Sequence, residues 1–319
     1  VTEDKIKMQA SAEMQAAWTQ YWNIGLVESL PKDRAAGRLA EVDAAWKEFL
    51  SSLPEGSRLL DLATGGGDVI RTAIDLGRKF QITGVDLADL TAVRATFQTA
   101  GIELVGNTDL SKLPFPDSAF DGMTSQFGIE YADAAAATRE AMRVLAPGGR
   151  GCFVLHHADG AVAQGVARSL AAYSAVFADD TAFQSGRKVF ELYQRSAARD
   201  DMVTAEAAFE AAVGAMQARL RNEPPFGPPR SLVAMLQNLA RSPGSYAPLE
   251  ALRKIDSAQE QIHAGTLRKV ALMNAALNRT GIAKFSEYLA SAGATVDAPQ
   301  ELKYQQGKAI AWRLAFRKP

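Results

Sequence analysis

The sequence predicts an α/β fold with a mostly parallel sheet, a closing antiparallel pair of strands and a large helical insertion after the fifth strand. Three observations carry that expectation. Short apolar runs alternate with amphipathic stretches over residues 56–157, the pattern of βαβ units that build a parallel sheet. The strand signal then vanishes over 158–280, where apolar residues recur at helical spacing, as in Phe209, Val213, Met216 and Leu220. From residue 281 the strand and helix signals return and end in two apolar runs.

Taken in order, residues 1–50 read as helical, with Trp18, Tyr21, Trp22 and Trp46 among Ala, Gln and Glu, and with Pro31 as a break. Residues 58–62 form a buried strand and Gly65, Gly66 and Gly67 a turn. Val69, Ile70, Ala73 and Ile74 make a helical stripe that Gly77 can end. A second strand follows over 80–85, a helix over 90–100 and a third strand over 102–105. Residues 120–127 give a fourth strand and 134–145 a helix that Pro147, Gly148 and Gly149 stop. A fifth strand covers 151–155. The insertion has one proline-rich break at 224–229. A helix over 282–292 is capped by Gly293, and strands follow near 295–304 and 309–316. The domain expectation is a helical segment at 1–50, the first part of the core at 51–157, the insertion at 158–280 and the rest of the core at 281–319.

Bulk composition narrows the class. The chain has 319 residues, 47% hydrophobic and 22% charged, with a formal net charge of −1. It can bury a substantial core. Near-neutral charge argues against an electrostatic reader of nucleic acid. A single cysteine, Cys152, excludes an internal disulfide, and with three histidines there is no cluster for a metal. The composition suits a reducing cytoplasm. No apolar run reaches the ~18 residues of a membrane span, and the first residues lack a basic-then-apolar leader.

The strongest motif is LLDLATGGGDVI over 59–70. A strand ends in an acidic residue, and a glycine-rich turn then opens a helix whose N–H groups can face a ligand. A dinucleotide fingerprint would place a third glycine where Ile70 stands, and a P-loop would place Lys and Ser or Thr where Asp68 and Val69 stand. S-adenosylmethionine (SAM) fits better, because it carries no phosphate and its ammonium group favours carboxylates and carbonyls. Asp86, at the end of the second strand, can accept both hydroxyls of a ribose or cap the next helix. Asp109 and Leu110, after the third strand, can hold an adenine through a carboxylate and a backbone N–H. Leu113, Pro114 and Phe115 supply an apolar wall.

These motifs together resemble the class I SAM-dependent methyltransferases, in particular the branch around ubiquinone and menaquinone biosynthesis. The resemblance rests on DLATGGGD (61–68), GVDLA (84–88), TDLSKLPFPDSAFD (108–121), SQFGIEY (125–131) and RVLAPGGR (143–150). It implies a Rossmann-like seven-stranded sheet with a C-terminal antiparallel pair, SAM as cofactor and methyl transfer as activity. The cofactor residues it implies are Asp61, Ala63, Gly65, Gly67, Asp86, Leu87, Asp109, Leu110 and Gln126. Gly65 and Gly67 approach the methionine part, and Gln126 lies beside it. The sequence departs from that branch at Ala63 and Thr64, where a Gly-Cys pair is usual. It also departs at Glu130 and Tyr131, where Arg-Asn is typical, and in the size of its insertion.

Methyl transfer needs a positioned nucleophile and, where the acceptor must lose a proton, a base. His156 and His157, at the carboxyl end of the fifth strand, have the right pKa range for that, or they hydrogen-bond backbone at the sheet edge. Glu130 and Tyr131 follow the fourth strand and can meet the acceptor, or Glu130 can support the next helix. Tyr21 and Trp22 can fold over the cofactor or be core. The expected function is methylation of a small apolar or aromatic acceptor under a helical lid. Alternatives are a SAM-binding regulatory or partner subunit and a protein or RNA methyltransferase. A homodimer is compatible with the insertion.

Overall fold

In the computed structural model the described residues are 3–23, 40–97, 101–221, 223, 230–304 and 306–319, with side chains from residue 12 onward, Asn23 excepted. Two N-terminal helices, α1 (Glu3–Asn23) and α2 (Ala40–Ser51), precede the sheet. The alternating part runs β1 (Arg58–Leu62), α3 (Asp68–Asp75), β2 (Gln81–Val85), α4 (Thr91–Arg94), β3 (Ile102–Val105), β4 (Phe120–Gln126), α5 (Ala134–Val144) and β5 (Leu145–His156). Five helices follow: α6 (Ala161–Val176), α7 (Thr181–Gln194), α8 (Arg199–Arg221), α9 (Arg230–Arg241) and α10 (Pro248–Ala275). The chain ends in α11 (Arg279–Ser291), β6 (Thr295–Val296), β7 (Gln300–Lys303) and β8 (Ala309–Arg317).

The sheet order is β3-β2-β1-β4-β5-β8-β6, with β7 also on β8. The first five strands are parallel, and β8 runs antiparallel to β5 and to its other neighbours. This is the Rossmann-like methyltransferase topology. The expected seven strands become eight because the penultimate one is broken. Val296 pairs with Phe316 and Gln300 with Arg313, so β6 and β7 together carry one residue more than β8 opposite. That is a bulge of the kind found at sheet edges, and Pro299 lies within it.

Strand residues alternate between two cores. Leu59, Ile82, Leu104, Cys152 and Val154 pack with Trp46, Phe49 and Leu50 of α2. Leu60, Leu62, Met123, Phe153, Leu155 and Leu314 pack on the other face with Met142 of α5 and Phe285 and Leu289 of α11. Each such fully buried Leu or Phe stabilises by about 1.5–3 kcal/mol. Burial pushes the Cys152 thiol up to about 11, so this cysteine is packing and not a nucleophile.

Two local expectations change. The helix expected over 90–100 is only the turn Thr91–Arg94. The Arg94 side chain donates to the Leu104 carbonyl at 2.6 Å, and Phe97 packs on Gly67; residues 98–100 lie outside the described residues. The fifth strand starts at Leu145, earlier than expected, because Arg143–Val144 passes into extended backbone at Leu145 without a break. Pro31 and the 224–229 break also lie outside the described residues.

The chain divides into two compact units, one comprising 1–164 and 271–319 and the other 165–270. The second has its own core of Phe183, Phe190, Phe209, Met216, Leu236 and Ile255. Among the described residues, no helix is long and apolar enough to cross a membrane.

Candidate functional site

A cavity of about 460 Å³ lies in the sheet unit, at the carboxyl ends of the first four strands. Open α/β sheets bind ligands at that edge. Ala63 follows β1, Asp86 and Leu87 follow β2, and Thr108, Asp109 and Leu110 follow β3. Phe127, Gly128, Glu130, Tyr131 and Ala132 follow β4. Met14, Trp18 and Trp22 of α1 and Ala271, Asn274 and Ala275 of α10 complete the wall.

Asp86 is the organising carboxylate. One oxygen accepts the Gly65 N–H at 2.8 Å and the other accepts the Ala88 N–H at 2.9 Å. These bonds lock the glycine-rich turn after β1 to the loop after β2. Burial raises its pKa against the pull of those backbone donors. Each carboxylate oxygen can accept a second bond, so a buried carboxylate of this kind is suited to neutral hydroxyl donors such as those of a ribose. Asp109 accepts the Ser111 N–H at 2.8 Å, which closes the loop that brings Leu110 to the wall. Arg143 of α5 holds the next segment, donating to the Phe115 and Leu113 carbonyls at 2.8 and 3.1 Å.

Ala63 occupies the left-handed region with φ of 51°. A Cβ at Gly128 would lie 2.3 Å from the Ala63 methyl. The glycine after β4 therefore accommodates the alanine after β1.

Other expected positions have different surroundings. Gly65 and Gly67 do not border the cavity. A Cβ at Gly65 would meet the Trp22 indole at 2.4 Å, and one at Gly67 would meet the Phe97 ring at 2.5 Å. Positive φ, 50° and 83°, and this close aromatic packing together favour glycine at both. Asp61 is internal: Thr64 and Thr124 hydroxyls donate to it at 2.6 and 2.8 Å, and burial pushes it up to about 7. Gln126 accepts from the Trp46 indole N–H and donates to Asp68 at 3.3 Å, so it braces α2 against α3. Tyr21 is partly buried, packed edge-on against Trp18 and Trp22 and against the core beneath them.

The two histidines separate. His157 stacks on Trp312 at 4.5 Å, accepts the Asp159 N–H at 3.1 Å and lies 4.0 Å from Glu301. These contacts hold it beside β7 and β8, away from the cavity wall. His156 lies behind the wall, 4.4 Å from the Phe127 ring and 5.8 Å from Tyr131. Its backbone N–H and its ring Nδ1 both meet Glu130 Oε1, at 2.9 and 2.8 Å. A carboxylate there requires the proton on Nδ1. Glu130 itself borders the cavity, and burial together with Glu130 holds the Tyr131 phenol well above its ordinary value.

Of the wall residues, sequence reasoning did not single out Met14, Trp18, Thr108, Phe127, Gly128, Ala132, Ala271, Asn274 and Ala275. Thr108 could have been found from its place at a strand end. Met14 and Asn274 sit on helices distant in sequence, and no local signal marks them.

Residues 60–153 match the family model described as a methyltransferase domain. The demethylmenaquinone methyltransferase of Thermus thermophilus is 41% identical over 97 residues, which is 29% of this chain and 44% of the relative. The demethylmenaquinone methyltransferase of Deinococcus radiodurans is 34% identical over 47% of this chain and 61% of its own length. The chain thus spans less than two thirds of the curated relatives it matches. Among solved structures, a SAM-dependent methyltransferase from Mesorhizobium loti has 32% identity and a TM-score of 0.32, over 36% of this chain and 55% of that one. The 1,6-didemethyltoxoflavin-N1-methyltransferase of Burkholderia thailandensis covers 98% of this chain and 89% of its own, at 12% identity and a TM-score of 0.47. The fold and the matched segment define a class I methyltransferase domain, the class whose cofactor is SAM. Within that class the matched segment is similar to the quinone-biosynthesis C-methyltransferases.

Proposed function

We propose that the protein is a SAM-dependent methyltransferase acting on a small apolar or aromatic molecule. The observation that carries this is Asp86: a buried carboxylate on the cavity wall, oriented by two backbone N–H groups, with the adenine-side residues Asp109 and Leu110 beside it. SAM supplies an electrophilic methyl group when bound. The work left to the chain is to orient the acceptor and exclude water. Trp18, Trp22, Phe127 and Tyr131 offer the apolar, aromatic surface expected of a small-molecule pocket. The related methyltransferases of ubiquinone and menaquinone biosynthesis are consistent with an apolar acceptor class.

Calorimetry with SAM tests the cofactor assignment. Wild type binds, and Asp86→Ala loses most of that affinity; retained affinity in the variant rejects the role of Asp86. Transfer of labelled methyl from SAM into a cell extract, resolved into small molecules and polymers, tests the acceptor class. Label appearing only in protein or RNA would overturn the small-molecule reading, and no transfer would favour a SAM-binding subunit.

A further inference from the structure

Glu130 is built as a receptor with one half already occupied. Its side chain is fully buried. Oε1 takes both N–H groups of His156, while Oε2 has no hydrogen-bond partner among the described residues. A buried polar oxygen left in that condition is costly and points to a missing partner. The geometry cannot relax easily. Swinging Glu130 away would sacrifice two bonds to His156, whose ring is held by Phe127 and Tyr131 and whose carbonyl accepts the Leu277 N–H at 2.8 Å.

We infer that Glu130 Oε2 is the recognition point for the methyl acceptor, and that this acceptor is a planar aromatic molecule presenting an N–H or O–H donor. The inference rests on the methyltransferase reading above. Oε2 accepts the donor hydrogen bond, and the rings of Trp18, Phe127 and Tyr131 offer faces and edges to a flat ring. When the donor atom bonds to the methyl carbon and the carbon–sulfur pair stays on sulfur, the proton lost by the donor rests on Oε2. The carboxylate and sulfonium charges are then cancelled together. His156 is a positioning residue that fixes Glu130 and does not touch the acceptor.

The test uses the full chain and three probes: benzimidazole, 2-methylbenzimidazole and 1-methylbenzimidazole. The last carries the same added bulk as the second but cannot donate. Binding is followed by tryptophan fluorescence, since Trp18 and Trp22 border the cavity. The first two probes should bind comparably and 1-methylbenzimidazole about tenfold more weakly, the scale of one hydrogen bond to a charged group. Glu130→Gln keeps an acceptor for His156 but replaces Oε2 by a donor. Both probes keep a ring nitrogen that can accept from the new amide, so the tenfold preference for benzimidazole over 1-methylbenzimidazole should vanish in this variant, with wild-type SAM affinity retained by calorimetry. Equal affinity of wild type for benzimidazole and 1-methylbenzimidazole, or no binding of any probe, overturns the inference even if the variant fails to fold. Loss of SAM affinity in Glu130→Gln would also overturn it, by assigning Oε2 to the ammonium group of the cofactor. Failure of wild type to bind SAM rejects the cofactor reading, while the probe series still decides the role of Oε2.

Discussion

At the scale of single residues, two buried features make specific demands. Asp61 lies under the glycine-rich turn, its hydrogen-bond partners among the described residues being the Thr64 and Thr124 hydroxyls, and burial raises it to about 7. The unfolded chain gives up this proton near the ordinary value of 3.8, whereas the folded chain keeps it to about 7. The folded state therefore binds the extra proton between those values, and stability falls as pH rises through that window. Thermal melts from pH 4 to 8 should show that decline in wild type and a smaller one in Asp61→Asn; identical slopes would mean Asp61 is not the titrating group. The second feature is the contact between Ala63 and Gly128. Gly128→Ala should be strongly destabilising, because its methyl would fall 2.3 Å from that of Ala63. Ala63→Gly, which also relieves a positive φ, should recover most of the loss when combined with it. Additive effects in that double-mutant cycle would show that the two sites do not touch.

At the scale of elements, helix α5 shows how a short signal positions chemistry. Asp133 caps it by accepting the Ala136 N–H at 2.8 Å. It stands two residues beyond Tyr131 and one beyond the last wall residue of that loop, Ala132. Asp133→Ala should cost about 1 kcal/mol, measured as a lower denaturation midpoint by tryptophan fluorescence; a midpoint within error of wild type would show the cap to be dispensable. Elements of this kind were legible because the cause is local. The runs at 58–62, 81–85 and 102–105 are apolar and bounded by turns, and the residues just past their ends are therefore wall residues of a parallel sheet. Asp86, Asp109 and Leu110 follow directly from that logic. Legibility ended where the cause lies elsewhere in the chain. Helix α4 tightens after Arg94 into i→i+3 turns, Thr96 N–H to the Val93 carbonyl and Phe97 N–H to the Arg94 carbonyl, while the Arg94 side chain reaches a carbonyl of β3. His157 looks like His156 in the sequence, yet Trp312, from the last strand, takes its ring face. Gly65 reads as a ligand-approach glycine, but a tryptophan of α1 lies against it.

At the scale of the whole molecule, the partition into two units has a measurable consequence. The helical unit closes its own core, with Phe209 fully buried against Gly186 and Ile255 nearby. It also has its own ion pairs, such as Arg187 with Asp256 at 2.6 Å. A unit with an independent core is expected to unfold by itself when that core is damaged. The tryptophans provide a convenient marker: Trp18, Trp22, Trp46 and Trp312 all belong to the sheet unit. Phe209→Ala removes a large side chain from a packed site and should cost about 3–5 kcal/mol. Far-ultraviolet circular dichroism should then lose helical signal at a lower denaturant concentration than in wild type, while the tryptophan fluorescence transition keeps its wild-type midpoint. If both transitions shift together, the helical and sheet units fold as one cooperative body. Damage to the helical core would then be felt in the stability of the sheet unit as well.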